Sequence, residues 1–133
     1  VNVRDYLGKM DFTLLTSISE GQPLTILESY AAHKPVITTD VGNCRELIYG
    51  NEDGFGDAGI LTHIMNIEEI AHAMVNMSIN EENRKRMGEA GYKRVNAFYR
   101  IDQMKDVYRE IYKGFSDSQN LSWTEESFKI NGH

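Results

Sequence analysis

The sequence predicts an α/β fold, a parallel sheet with flanking helices and a helix-rich second half, and three observations predict it. An apolar run at residues 12–16 and a β-branched run at 34–39 bracket a helical pattern that enters at Pro23 and continues to about Ala32. Strand, helix, strand at this spacing is a βαβ unit, which implies parallel strands and a right-handed crossover. Beyond residue 66 the apolar positions recur at helix spacing, so helices supply the rest of the core.

Each element has local grounds. Residues 3–9 suit a short helix with Val3, Tyr6 and Leu7 on one side, closed by Gly8. Pro23 suits the first helical position, where its missing N–H would have no partner and its fixed φ already fits. Asp40, Val41, Gly42 and Asn43 form the loop leaving the second strand, and Asn43 with Glu46 reads as a cap for a short helix through Ile48. Residues 50–59 read as turn, with Glu52, Asp53 and Asp57 as solvated acids, and residues 60–62 add an edge strand. Asn66 and Glu69 cap a helix with Ile67, Ile70, Ala71 and Met74 inward. A second helix runs from Glu81 to about Tyr92 with Met87 and Ala90 inward, and a third over 102–115 aligns Met104, Val107, Tyr108, Ile111 and Phe115. Met74, Met77, Met87 and Met104 read as core. Residues 116–133 are polar, with Trp123 and Phe128 as isolated anchors, and read as a tail behind a domain of residues 1–115.

Composition excludes several functions. At 133 residues the chain is one domain or part of one. Its net charge of −6 argues against nucleic acid or an anionic membrane surface as the main partner. No apolar run approaches the ~20 residues of a transmembrane segment, and no signal-peptide pattern opens the chain. The single cysteine, Cys44, excludes an internal disulfide and a cysteine-rich zinc site, and it reads as packing; a cytoplasmic setting is expected. His33, His63, His72 and His133 lack ligand spacing, so no metal is expected. Val1 in place of Met suggests a chain that begins inside a larger protein.

Residues 17–28 organise the rest. With Pro23 as the first helical residue, the amides of Leu24, Thr25 and Ile26 project from a positive helix end that suits an anion. At roughly 100° per residue, Glu28 falls in one arc with Leu24, Leu27, Ala31 and Ala32, opposite Thr25, Ser29 and His33. Its carboxylate is therefore expected on the inward face, a costly place without a partner. Glu20 before the helix and Glu28 within it make an acceptor, donors, then an acceptor. A nucleotide sugar matches that order, with hydroxyls at both ends and a diphosphate between. The loops leaving both strands open on the same edge of the sheet, where ligands of open α/β folds bind.

The pattern Ser-x-x-Glu-Gly-x-Pro-Leu-x-x-x-Glu, followed by Ala31-Ala32-x-Lys34-Pro35-Val36-Ile37 and Asp40-Val41-Gly42-x-x-x-Glu46-Leu47-Ile48, resembles the donor-binding half of retaining glycosyltransferases with the GT-B fold. That family includes bacterial hexose transferases, sucrose synthases and glycogen synthase relatives. The wording of the two motifs is similar to the Pel exopolysaccharide type, which uses UDP-glucose. The resemblance implies a partial C-terminal domain with a Rossmann-like sheet, covering roughly residues 1–115. It implies that Glu20 is catalytic and accepts hydrogen bonds from the donor sugar, and that the backbone at Gly21 and Gln22 lines that sugar. It further implies that Leu24 and Thr25 give backbone amides to the diphosphate and that Glu28 holds the ribose.

The donor would be UDP-glucose or another UDP-hexose, transferred with retention to a saccharide or lipid-type acceptor, with no cofactor or metal. The Arg and Lys that stabilise the leaving diphosphate lie upstream in the family, and Arg4 and Lys9 are too close to the motif to be those residues. The chain alone is therefore expected to be inactive, its partner being the missing N-terminal domain. Two departures stand out, since the family usually has Gly where His33 stands and often where Asn43 stands; His33 would need a left-handed turn. The competing expectation is a non-catalytic Rossmann-like binding module that keeps the fold without transferring sugar.

Overall fold

The computed structural model describes residues 3–119. Three short strands, β1 (Thr13–Leu15), β2 (Val36–Thr39) and β3 (Gly59–Thr62), form a parallel sheet in the order β1-β2-β3. Thr13 lies opposite Val36, and Val36 opposite Gly59. The helices are α1 (Arg4–Leu7), α2 (Leu24–Ala31), α3 (Cys44–Tyr49), α4 (Ile67–Ile79), α5 (Glu81–Phe98) and α6 (Ile101–Gln119). The chain divides into two compact units, with the break after Tyr99. The α/β fold with a parallel sheet and flanking helices is thus the one the sequence implies. Trp123 and Phe128 lie outside the described residues.

All of β2 is buried because, as the middle strand, it is covered on both faces. On one face Val36 packs with Ile26, Tyr30, Cys44, Leu47, Ile48 and Ala90, drawn from α2, α3 and α5. On the other, Ile37 packs with Ala73 and Met77 of α4, supported by Phe12, Ile60 and Met87. Cys44 is a packing residue, as expected.

Two helices turn a different face inward from the one their periodicity suggested, and in a third the expected core stripe is exposed. In α2 the buried residues are Ile26, Ser29 and Tyr30, while Glu28 and Leu24 are exposed. Ser29 is tolerated inside because its hydroxyl donates to Thr25 O at 2.8 Å and lies 2.9 Å from the Thr13 hydroxyl. In α4 the inward residues are Ala73 and Met77, whereas Ile67, Ala71 and Met74 are exposed; the helix carries two apolar stripes and the sheet covers one. In α6 Met104, Val107, Tyr108 and Ile111 do share a stripe, but all four are exposed, so it is not a core face.

The packing of α5 on α2 depends on small residues. A Cβ at Gly91 would overlap the Tyr30 ring, which is itself fully buried. Burial raises the Tyr30 phenol well above its ordinary pKa, and its hydroxyl donates to Leu47 O at 2.9 Å. Gly91→Ala should therefore destabilise the chain by about 1–3 kcal/mol, read as a lower urea midpoint; an unchanged midpoint would show that the two helices separate without cost.

Candidate functional site

The loop of residues 17–22 leaves β1 and is held against the loop that leaves β2. The Thr39 hydroxyl donates to Ser17 O at 2.5 Å, and Asn43 N donates to Gly21 O at 3.1 Å. Gly42 has φ +50, and a Cβ there would overlap the Glu20 carbonyl oxygen, so both the turn and the close approach require glycine. Parallel pairing places these two loops on one edge of the sheet, as expected. Glu20 is half-buried, and its Oε1 accepts from Ser17 Oγ at 2.6 Å. Among the described residues its second oxygen accepts no hydrogen bond.

Pro23 is the N-cap of α2, with φ −75 and ψ 102, and the helix proper begins at Leu24. This corrects the assignment of Pro23 to the first helical position. It also removes Ile26 from the open donors, because Ile26 N donates to Pro23 O at 3.1 Å. The amides of Leu24 and Thr25 remain without a partner among the described residues. Leu24, Thr25 and Glu28 are all exposed and, at spacings of three and four, share one face of the helix. Glu28 therefore does not occupy the inward arc, and its carboxylate stays in water.

Asn43 stands at the N-cap position of α3, as expected, with φ −87, but its side chain makes no capping bond. Its Nδ2 instead donates to Gln22 Oε1 at 2.7 Å. The Tyr99 hydroxyl lies between Gln22 and Glu46, and its pKa is raised, first by burial and then by the Glu46 charge. His33 does take the left-handed turn, at φ 56, and stacks on Tyr92 with ring centroids 3.7 Å apart.

The family model for Glycosyl transferases group 1 matches residues 1–94. The chain belongs to this family. Among curated proteins, this glycosyl transferase chain is 30% identical over 115 residues to an uncharacterized glycosyltransferase of Methanocaldococcus jannaschii, covering 86% of the chain and 31% of that protein. It is 31% identical over 111 residues to the N-acetyl-alpha-D-glucosaminyl L-malate synthase of Bacillus anthracis, covering 84% of the chain and 28% of that protein. The chain thus spans about three tenths of the length of these relatives. In structure it is similar to sucrose-phosphate synthase from Thermosynechococcus elongatus, with a TM-score of 0.71, 22% identity, and coverage of 84% of the chain and 28% of that protein. That likeness is one of fold, and it makes the chain a partial domain of the GT-B type.

One feature of this glycosyl transferase chain has no forerunner in the sequence reading. Arg94 of α5 is 1% exposed and pairs in bidentate fashion with Asp53, Nε to Oδ2 at 2.6 Å and Nη2 to Oδ1 at 3.0 Å. Its remaining N–H groups donate to Leu47 O, Ile48 O and Gly56 O at 2.8–3.0 Å. Asp53 is therefore a buried ion-pair partner and not a solvated turn acid, while Glu52 and Asp57 are exposed as expected. The Arg94 hydrogen bond holds the Asp53 carboxyl below its ordinary pKa. A cavity of about 370 Å³ adjoins the pair, lined by Glu46, Asn51, Phe98 and Tyr99 among others. Neither Glu20 nor Glu28 lines it. Among the described residues no cluster of His, Cys, Asp and Glu could hold a metal, and no helix is long and apolar enough to cross a membrane.

Proposed function

We propose that this chain is the donor-nucleotide-binding part of a retaining hexosyltransferase, with UDP-glucose or another UDP-hexose as donor and a saccharide or lipid-type acceptor in polysaccharide or glycoconjugate synthesis. The observation that carries the reading is the open first turn of α2, where the unpartnered amides of Leu24 and Thr25 stand between Glu20 and Glu28. Two free amides at a positive helix end suit a diphosphate. The open oxygen of Glu20 suits the hydroxyls of the donor sugar beside Gly21 and Gln22, and the solvated carboxylate of Glu28 suits the ribose. The motif's resemblance to the Pel type supports UDP as the nucleotide.

The rest of the cleft, including the cations that neutralise the leaving diphosphate, belongs on this reading to an N-terminal domain of the same cytoplasmic protein. The chain of residues 1–115 with its polar tail then binds donor without transferring it and needs no metal. Titration of the chain with UDP, followed by amide NMR, should shift Leu24, Thr25 and Glu28 first, with millimolar affinity. A folded sample that shows no shift there at millimolar UDP would refute the assignment.

A further inference from the structure

The amide of Gln22 has its orientation fixed from outside the loop that carries it. Asn43 Nδ2 donates to Gln22 Oε1 at 2.7 Å. With the Asn43 NH₂ donating, the Gln22 Oε1 is the end turned toward Asn43 and the Gln22 NH₂ is the end turned away from it. The main-chain bond from Asn43 N to Gly21 O, 3.1 Å long, keeps the two residues in register. Glu46 stands three residues after Asn43, on the same side of α3. Its carboxylate can accept a hydrogen bond from the Tyr99 hydroxyl, which leaves the phenol oxygen to accept one N–H of Gln22. A second Gln22 N–H then has no acceptor among the described residues. In the same loop Glu20 has one oxygen held by Ser17 at 2.6 Å and the other open. The loop therefore offers an acceptor at Glu20 and a donor at Gln22. A hydroxyl satisfies both, since it donates to a carboxylate and accepts from an amide.

We propose that Asn43 is a positioning and specificity residue: by holding the Gln22 amide oxygen it sets a donor beside the Glu20 acceptor, so that the loop selects a donor sugar bearing a hydroxyl at that point. This rests on the reading of Glu20 and Gln22 as the sugar end of the donor site.

The test is titration of the 133-residue chain and two variants with UDP and with UDP-glucose, followed by amide NMR. The native chain should bind UDP-glucose more tightly than UDP. Asn43→Ala keeps the main-chain bond to Gly21. It should leave UDP affinity within about twofold and lower the UDP-glucose advantage about threefold to tenfold, the worth of one ordinary hydrogen bond. Asn43→Asp has the same shape but cannot donate to Gln22, so the Gln22 amide turns round and the advantage falls further. Its added charge weakens both ligands, which is why the ratio is the readout.

An equal loss for both ligands in Asn43→Ala would make Asn43 merely structural and overturn the proposal. An unchanged ratio in both folded variants would overturn it too, as would equal affinity of the native chain for UDP and UDP-glucose. A native chain that binds neither ligand removes the donor-site reading itself, and the proposal with it. Native binding with an unmoved ratio sinks the proposal alone.

Discussion

Arg94→Met should cost about 3–5 kcal/mol of stability, read as a large drop in the urea midpoint. The guanidinium it removes is 1% exposed and supplies both bonds to the Asp53 carboxylate and further bonds to the Leu47, Ile48 and Gly56 carbonyls. Methionine fills much of the volume but leaves Asp53 as a bare charge out of water, and that desolvation is the larger part of the cost. The double variant Arg94→Met with Asp53→Asn should therefore be more stable than Arg94→Met alone. A loss below about 1 kcal/mol in the single variant would place the pair effectively in solvent.

The same pair sets an acid limit. The Asp53 carboxyl is held below its ordinary pKa by the Arg94 hydrogen bond first, against an opposing effect of burial. A group depressed in the folded state stabilises fully above its unfolded pKa. The contribution is lost as pH falls from about 3.9 toward the lower folded value. The native midpoint should decline over that window, and the decline should be smaller in Asp53→Asn.

Glu28→Ala should have the opposite signature. The Glu28 carboxylate is exposed and has no partner among the described residues, so stability should change by less than about 0.5 kcal/mol. UDP binding should weaken about tenfold to a hundredfold, because a hydrogen bond to a charged group contributes about 1.5–3 kcal/mol. Glu28→Gln, which keeps an acceptor, should lose less. A Glu28→Ala chain that binds UDP as tightly as the native one would take Glu28 out of the ribose site.

Much of the fold was legible because it rests on short-range chemistry. The βαβ unit followed from two apolar runs and a proline-marked helix, whereas the left-handed turn at His33 was expected only from the family resemblance. What was missed depends on partners distant in sequence or on polar atoms satisfied inside. Arg94 lies beyond the helix expected to end near Tyr92, and its acceptors lie 38 to 47 residues upstream. Ser29 is polar, yet the Thr25 carbonyl one turn back and the Thr13 hydroxyl of β1 satisfy it, so the inward face of α2 includes Ser29 and leaves Glu28 in water. Asn43 fitted a capping pattern, but Gln22 competes for its side chain. The residues proposed for donor binding, by contrast, lie close in sequence, in one loop and the first turns of one helix.

The Leu47 carbonyl accepts from the Tyr30 hydroxyl and from Arg94 Nη1, each at 2.9 Å. A single oxygen thus ties α2, α3 and α5 together, and on the proposed reading the cleft uses groups at their ends: the open amides of α2, Asn43 before α3 and Tyr99 after α5. Sliding any one of the three would break a short buried bond. If this side faces the donor as proposed, it is one stiff jaw, and closing around a ligand is expected from something swinging toward it and not from rearrangement within.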